Sequence, residues 1–446
     1  MGILAKMAGV VLAISLMTFI IFFGRLPIFR RTPIAWLYSF FVVHIPNGVL
    51  ALDRRLTGGK FTSSLQRFGS FMMNDKHPTI LIFFLVLLVG SEYMAVPSAW
   101  PYLSGVKRIA VVVMCTLPYV FLYLAAYSDP GTVALGSLKH HLSLYPYDYA
   151  LFHPGARCYT CNLLKPPRSK HCPVCKRCVG RLDHHCIFIN NCVGVGNHHW
   201  FLLLLLSTAI LASYGGWTGM GLIRDRVVER FPTWSLWPWR AYEVVGGAGT
   251  ALANTPLAGT SRKMSFDTWL IYLSWGFKNF IHLASVSLLG LLISPLVWGL
   301  LAYNLWNVWT GQTTNESLKW SDWKCDMEDG FVYKRRMSHE RRPVVVAATR
   351  EASGTDPLTS STRWPVEAEH VLVRTEDGNP PAPNNKDLPG VGEWERVWTL
   401  RDVENLYDLG FWNNLKEIFI PNYQFNTRGL PAAERRGRPR KRVPRK

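Results

Sequence analysis

The chain has 446 residues, of which 49% are hydrophobic, and its formal net charge is +19. The apolar residues are concentrated in long blocks and the charges in the segments between them, which argues against a soluble globular protein and for a membrane protein. The basic excess could indicate nucleic-acid binding, but beside apolar blocks it is also typical of loops that meet anionic lipid. We therefore expect the lipid bilayer as a partner, and no nucleic acid.

The apolar blocks predict an α-helical polytopic membrane protein with about five spans. No small-residue cleavage site follows the first block, so we expect a retained anchor rather than a signal peptide. The fourth block contains Gly215, Gly216, Gly219 and Gly221, which predict close packing against another helix. The predicted spans are residues 1–24, a transmembrane hairpin within residues 78–127, residues 200–223 and residues 280–306.

The charge distribution predicts which segments face the cytosol. Residues 25–77 carry a large excess of Lys and Arg over Asp and Glu, which predicts a cytosolic basic loop. Counting spans from that loop places residues 128–199 and 307–446 in the cytosol and residues 224–279 in the lumen. The lumenal loop contains the apolar piece Trp269 to Phe277, which is too short to span and is expected to lie along the outer interface.

The cytosolic tail is predicted to have three parts. Residues 340–396 are rich in Pro, Ser, Thr and charge, which is typical of a disordered linker. Residues 398–419 carry apolar side chains at helical spacing, which predicts a short amphipathic helix docked on the cytosolic domain or on the bilayer. The polybasic end, Arg435 to Arg442, suits either a solvated tail or a contact with anionic lipid.

Seven of the nine cysteines lie between Cys158 and Cys192. Their C-x2-C spacings, repeated and followed by histidines, are typical of tetrahedral zinc sites, because one tight turn aims two sulfurs at a single ion. Such clusters favour a reducing compartment with metal over an oxidising one with disulfides. We therefore predict a small, zinc-stapled, loop-rich domain that faces the cytosol.

Two zinc ions need eight ligands, and this region offers more than eight. In one assignment every cysteine including Cys186 binds zinc with one histidine; in the other, two Cys3His sites leave Cys186 and one histidine free. The tetrad Asp183-His184-His185-Cys186 favours the second assignment, because a carboxylate, an imidazole and a thiol can together form a reactive thiolate. If His185 binds zinc, His184 points the other way, toward Cys186, and Asp183 can hold its second ring nitrogen.

These residues carry a resemblance to a known family. Residues 158–201, with Asp-His-His-Cys at 183–186, resemble the cysteine-rich domain of the DHHC-type protein S-acyltransferases, the palmitoyltransferases. Residues 405–410, with Asn413 and Asn414, resemble the family's C-terminal motif, and the whole arrangement resembles the fungal members that acylate SNAREs. Two further segments resemble motifs of the family. The DPG motif is matched by Asp129, Pro130 and Gly131, and the TTxE motif by Thr313, Thr314, Asn315 and Glu316.

The resemblance implies roles for individual residues. It makes Cys186 the acyl-accepting nucleophile and His184 and Asp183 the residues that activate it. It implies two structural zinc ions, one bound by Cys158, Cys161, His171 and Cys178 and the other by Cys172, Cys175, His185 and Cys192. The sequence departs from the family pattern directly after the nucleophile, where Ile187-Phe188 replaces Pro-Trp, and this affects the mouth of the acyl site.

The implied activity is a two-step acyl transfer. Acyl-CoA, in particular palmitoyl-CoA, would acylate Cys186, and cysteines beside the bilayer in membrane proteins, SNAREs above all, would accept the acyl group. The apolar faces of the third and fourth spans are the candidates for the acyl chain. The resemblance also implies the endoplasmic reticulum membrane. Cations available for the CoA phosphates are Lys165, Arg168, Lys170, Lys176, Arg177 and Arg181.

The alternative is a membrane-anchored zinc protein that binds a partner without chemistry. The tetrad at residues 183–186 argues against it, because a binding module does not need a spare thiol beside an imidazole. The topology has its own check in the sequon Asn315-Glu316-Ser317, which the predicted map places in the cytosol and which should therefore carry no glycan.

Overall fold

The computed structural model describes residues 32–243, 261–337, 362–382 and 388–420, together with residues 16, 17, 20, 21, 24, 423 and 425. The chain divides into two compact units. The first comprises residues 1–77 and 223–281, and the second comprises residues 78–222 and 282–446.

Five helices in the described part of the chain are long and apolar enough to cross a membrane, which confirms the polytopic helical class. Four of them lie where spans were predicted, whereas the predicted first span, residues 1–24, lies largely outside the described residues. The remaining helix falls within residues 25–77, and the assignment of that segment to a cytosolic loop stays a prediction. The helices are α1 (Pro33–Leu56), α3 (Thr79–Tyr102), α4 (Gly105–Tyr127), α6 (His198–Arg230) and α8 (Ile281–Trp309).

In the first unit, α1 is followed by a two-glycine turn and by α2 (Lys60–Asn74). Both glycines have positive φ, and the buried Asp53 carboxylate accepts hydrogen bonds from Thr57 and from the Thr62 amide. Asp53 therefore satisfies backbone and side-chain donors where one helix ends and the next begins.

A second part of this unit is rich in tryptophan. The helix α7 (Phe266–Asn279) begins where Ser265 Oγ accepts a hydrogen bond from the Thr268 amide, and it contains the piece predicted to lie at the outer interface. Trp234 and Trp269 stack with ring centroids 5.9 Å apart. Two short strands, β7 (Ala241–Glu243) and β8 (Ser261–Lys263), pair antiparallel.

In the second unit, α6 and α8 pack closely through glycine. A Cβ on Gly219 would lie 2.0 Å from Ser287 Oγ, and one on Gly216 would lie 2.9 Å from Leu291. The close packing predicted for four glycines is therefore found at two of them. Gly215 and Gly221 have no neighbouring atom within 4 Å of such a Cβ.

The cysteine-rich segment consists of three short antiparallel hairpins. Amide side chains contribute to its contact with the membrane helices: Asn191 Nδ2 donates to the carbonyls of Ala126 and Ser128, and Asn197 Nδ2 donates to that of Ala125. These carbonyls lie at the end of α4 and have no partner within the helix. The hairpins are β1 (Arg157–Cys158) with β2 (Leu163–Leu164), β3 (Lys170–Cys172) with β4 (Arg177–Val179), and β5 (His184–Cys186) with β6 (Asn191–Val193).

The tail is more ordered than its composition predicts. After α9 (Thr314–Glu328), the strand β9 (Val332–Arg336) lies between β10 (His370–Arg374) and β11 (Val391–Arg396) in an antiparallel sheet. The prediction of disorder across residues 340–396 is therefore wrong for both strands, because Leu372 is buried in a cluster with Val332 and the tryptophans of α9. Residues 338–361 and 383–387 lie outside the described part.

The single amphipathic helix predicted for residues 398–419 is also wrong. Leu400–Asp402 form one turn of 3-10 helix, and only α10 (Phe411–Phe419) is α-helical. Gly410 has a φ of 85°, and Tyr407 is turned into a buried aromatic cluster instead of following a helical stripe. Tertiary contacts have overridden the local periodicity here. The polybasic end lies outside the described residues.

Candidate active site and metal centres

The eight predicted zinc ligands form two groups of four, and within each group all ligand atoms lie within 4.8 Å of one another. In the first group the sulfurs of Cys158 and Cys161 lie 3.6 and 3.3 Å from His171 Nδ1. In the second, Cys192 Sγ lies 3.6 Å from His185 Nδ1. A tetrahedral zinc ion places its ligand atoms about 3.5–3.8 Å apart, so both groups fit zinc. The groups are Cys158, Cys161, His171, Cys178 and Cys172, Cys175, His185, Cys192.

The hairpin register explains why the ligand sets interleave. His171 lies opposite Cys178 in β3–β4, and His185 lies opposite Cys192 in β5–β6. Each of these cross-strand pairs completes a site whose other two ligands come from the turn region of the preceding hairpin. Since the middle hairpin contributes to both groups, zinc bound at both would connect all three hairpins into one unit.

Of the seven cysteines between residues 158 and 192, all of which are described, only Cys186 lies outside both groups. In β5 the side chains alternate between two faces. His185 points to its metal group, and its neighbours His184 and Cys186 share the opposite face. The alternation therefore explains why both the Cys186 thiol and the His184 imidazole lie outside the metal groups.

Asp183, His184 and Cys186 form a hydrogen-bonded chain. His184 Nδ1 donates to Asp183 Oδ2 at 2.6 Å, and the imidazole is also hydrogen-bonded to the Cys186 thiol. Asp183 and Cys186 are buried, while about a third of the His184 side chain is exposed (32%). The edge of Phe201 packs against the His184 ring, with centroids 5.2 Å apart.

This chain favours charge separation between imidazole and thiol. Burial lowers the pKa of His184, but its hydrogen bonds to Asp183 and Cys186 outweigh burial and raise that pKa to about 10. Burial raises the pKa of Cys186, but the hydrogen bond and charge of His184 bring it below its usual range. The pKa of Asp183 is lowered despite burial, because His184 donates to it. An imidazolium beside a thiolate is the arrangement that makes cysteine a nucleophile at neutral pH.

The residues of the TTxE-like motif hold the aspartate in place. The Thr314 amide donates to Asp183 Oδ1 at 2.7 Å, so both carboxylate oxygens have partners. Thr313 and Glu316 form a reciprocal capping box at the start of α9. Glu316 also binds Arg168 through two parallel hydrogen bonds of 2.8 and 2.6 Å, and both residues are buried.

The DPG-like motif fixes the other side of the cysteine-rich segment. Asp129 accepts hydrogen bonds from the Thr132 amide and hydroxyl, and the carbonyls of Pro130 and Gly131 accept from the Gly196 and Gly180 amides. A Cβ on Gly196 would lie 2.2 Å from the Asp129 carbonyl oxygen. The motif therefore forms a tight backbone contact with the cysteine-rich segment.

The C-terminal motif packs onto the same region. Tyr407 is 2% exposed, its hydroxyl donates to the Pro146 carbonyl, and its ring lies 4.4 Å from the Arg168 guanidinium. Asn414 Nδ2 donates to the Val308 carbonyl at 3.0 Å, at the end of α8. Residues far along the tail thus complete the surroundings of the Arg168–Glu316 pair.

Cys186 also belongs to an apolar cluster shared by four membrane helices. Leu122 and Ala125 of α4, Leu205 of α6 and Leu301 of α8 are buried in it, with Leu85 of α3 packed against them. Ile418 of α10 is buried there as well. The thiol therefore lies between a polar side, formed by the His184–Asp183 pair, and an apolar side directed into the helices.

Sequence reasoning missed a second buried ion network. Glu417 is buried, lies 3.3 Å from Arg181, and is hydrogen-bonded to Tyr145. Arg181 Nη1 in turn lies 2.8 Å from His198 Nδ1. Arg168 and Arg181, which we expected to be available to CoA phosphates, are 1% and 3% exposed and occupied by carboxylates. That expectation is wrong for both arginines.

A family model described as DHHC palmitoyltransferase matches residues 152–321. With the fold, it defines a membrane enzyme of the palmitoyltransferase class. The chain is 50% identical over 426 residues to Palmitoyltransferase SWF1 of Neurospora crassa, covering 95% of this chain and 94% of that protein. It is 37% identical to swf1 of Emericella nidulans (94% and 97% covered) and 30% identical to swf1 of Schizosaccharomyces pombe (93% and 96%). The chain belongs to the DHHC palmitoyltransferase family, in its SWF1 type.

Proposed function

We propose that this palmitoyltransferase works through a covalent thioester on Cys186, formed from a long-chain acyl-CoA. The observation that carries the proposal is that Cys186 alone among the clustered cysteines is left outside both metal groups, with its thiol hydrogen-bonded to an aspartate-bound imidazole. Zinc, held by four protein ligands at each site, would supply only structural rigidity to this segment.

The first step exchanges one thioester for another. The Cys186 thiolate attacks the carbonyl carbon of acyl-CoA, the bond from that carbon to the CoA sulfur breaks, and the departing CoA thiolate takes the proton held by His184. In the second step His184 accepts the proton of a substrate cysteine, whose thiolate attacks the Cys186 thioester and regenerates the enzyme. Asp183 keeps the imidazole oriented in both steps.

The acyl chain would lie on the apolar side of Cys186. Each methylene group removed from water contributes about 0.8 kcal/mol, so a long chain strongly favours the helix cluster over solvent. The cluster includes Leu122 and Leu205, which lie in the third and fourth predicted spans, and also residues of α3 and α8.

The CoA phosphates would bind cations that remain accessible. Lys170 is exposed and Lys165 is partly exposed, and Lys319 of α9 lies near both. Burial lowers the pKa of Lys319 despite the opposing charge of Glu316, and the charges of Lys170 and Lys165 lower it further. These three cations would together attract the negative charge of the CoA phosphates. Lys319 had no sequence signature of this role.

We propose juxtamembrane cysteines of membrane proteins as acceptors, SNAREs among them, with the catalytic domain facing the cytosol at the endoplasmic reticulum. The support is the resemblance to the SNARE-acylating fungal members and the attachment of Cys186 directly to the ends of membrane helices. Asn315 of the sequon is buried and accepts a hydrogen bond from Lys170, so that glycosylation there would be incompatible with this fold.

The test uses the full-length protein in detergent with radiolabelled palmitoyl-CoA. The wild-type chain should acquire a label that hydroxylamine removes, and Cys186→Ser should not. Cys325→Ser is the matched control, because Cys325 is an exposed cysteine on α9 outside both metal groups, and it should retain the label. A hydroxylamine-sensitive label of wild-type size on Cys186→Ser would end the proposal and favour a non-catalytic binding module.

A further inference from the structure

The helix α2 exposes an apolar face that no other described residue covers. Phe61, Leu65 and Phe68 are 59%, 57% and 58% exposed. Their spacing of four and then three residues places them on one side of a helix. Isolated exposed apolar residues are ordinary, but an aligned stripe of this size on one helix indicates a surface that is covered in the functional protein.

The polar side of α2 has the composition of a helix that lies at a bilayer surface. Ser63, Gln66 and Ser70 lie opposite the apolar stripe, and all are exposed. Lys60 and Arg67 flank the stripe on one side, and the helix contains no acidic residue. A narrow apolar stripe, a polar face and flanking cations are the features of an in-plane interfacial helix.

The position of α2 in the chain fixes which surface it can reach. Residues 75–78 separate Asn74 from Thr79, where the membrane helix α3 begins. Four extended residues reach at most about 14 Å, so that the C-terminal end of α2 stays within that distance of the start of α3. Because α3 and α4 form a hairpin, the chain before Thr79 and the chain after Tyr127 meet the same leaflet.

We propose that α2 is an in-plane anchor at the bilayer surface, with Phe61, Leu65 and Phe68 inserted among the lipid chains. Lys60 and Arg67 then contact anionic phospholipid headgroups. Three side chains are far too few for a stable interface with a second copy of the chain, whereas the bilayer is already adjacent. The anchor would be independent of the acyl-transfer chemistry.

The test uses the full chain in nanodiscs that contain a photoactivatable phospholipid, with labelled peptides identified by mass spectrometry. Peptides from α2 should be labelled, and Phe68→Asp should reduce that label about tenfold, because an apolar contact is replaced by a charge. Ser63→Asp adds the same charge to the polar side and should leave the label unchanged. Labelling of α3 reports in each variant that the chain is inserted.

Lipid charge gives the second measurement. Adding phosphatidylserine to phosphatidylcholine nanodiscs should increase α2 labelling, and Lys60→Gln with Arg67→Gln should remove that increase, by roughly fivefold for each cation. The proposal is overturned if α2 stays unlabelled while α3 is labelled, if α2 crosslinks to a second copy instead, or if Ser63→Asp acts like Phe68→Asp.

Discussion

Two regions of the second unit lack long regular structure, and they are held together in different ways. In the cysteine-rich segment, residues 158–192, each cysteine ligand lies at most thirteen residues from the histidine of its own metal group. In the tail, residues 362–420, the important contacts are remote: Glu417 meets Tyr145 across 272 positions, and Tyr407 meets Pro146 across 261.

The difference shows two solutions to one problem. A short chain segment without a large core is too weak to fold alone. The cysteine-rich segment would obtain its stability from metal ions whose ligands are close in sequence. The tail obtains it from buried ion pairs and aromatic packing with distant elements. Both regions contribute to the surroundings of Cys186. The strand β5 carries this residue, and Ile418 of the tail is buried in the same apolar cluster.

The largest expected effect is on the metal-held region. Cys172→Ser removes a ligand from the second group, and we expect loss of bound zinc together with the fold of all three hairpins. Binding of a structural zinc is worth about 10–16 kcal/mol, which exceeds the stability of most domains. Metal analysis of purified full-length protein should give zinc for both groups in the wild type.

Cys186→Ser is the matched control for this prediction. It exchanges the same atoms fourteen residues further on, outside both groups, and should retain all of the zinc. Loss of zinc from Cys186→Ser equal to that from Cys172→Ser would show that the thiol at 186 is itself a ligand.

The next effect concerns the buried ion pair between the cysteine-rich segment and α9. Glu316→Gln leaves the buried Arg168 guanidinium without its carboxylate, and we expect the free energy of unfolding to fall by about 3–5 kcal/mol. Denaturant unfolding in detergent measures this loss. Glu328→Gln on the same helix breaks only an exposed pair with Lys324 and should cost about 0–1 kcal/mol. Equal losses in the two variants would contradict the buried pair's role.

A smaller effect is expected where the tail meets α8. Asn414→Ala removes a hydrogen bond to the Val308 carbonyl and another from the Leu409 amide, and should cost about 1–3 kcal/mol. Limited proteolysis should then release the tail sooner. The neighbouring Asn413 is less buried and bonds only within its own turn, so that Asn413→Ala should leave proteolysis close to that of the wild type.

The sequence predicted the metal-held region better than the tail for a physical reason. Ligand spacing and strand alternation are local, so residues 158–192 alone favoured two Cys3His sites with Cys186 spare, and the resemblance to the DHHC family implied which residues form each site. Arg168 and Glu316 are 148 positions apart, and nothing near Arg168 indicates that it is buried. From the sequence alone, Arg168 is expected to be an exposed cation.

The tail shows the same limit in its secondary structure. The strands β10 and β11 lie in polar, proline-rich sequence and form because β9 pairs with both of them. Leu400, Val403 and Tyr407 have helical spacing, yet Tyr407 belongs to an aromatic cluster with Tyr145 and Trp364. Local periodicity could not reveal either outcome, since both depend on partners that are distant in sequence.

The smallest effect tests Phe188, the second residue after Cys186, and rests on the proposed function. Phe188 is half exposed and its ring meets Phe84 of α3 edge to face, with centroids 6.1 Å apart. The loop after Cys186 thereby touches the membrane helix whose neighbouring residues Leu81 and Leu85 pack on the thiol's apolar cluster. We expect this contact to restrict the space at the mouth of the acyl site.

Phe188→Ala removes the ring pair and widens that space. An aromatic pair contributes about 0.5–1.5 kcal/mol, so the ratio of kcat/KM values for stearoyl-CoA over myristoyl-CoA should rise by about twofold to tenfold. Ile187→Ala is the control, because Ile187 is similarly exposed but makes no ring contact with α3. An unchanged ratio in Phe188→Ala, or the same rise in Ile187→Ala, would place the control of chain length deeper among the helices, because widening the mouth would then have no selective effect on the longer chain.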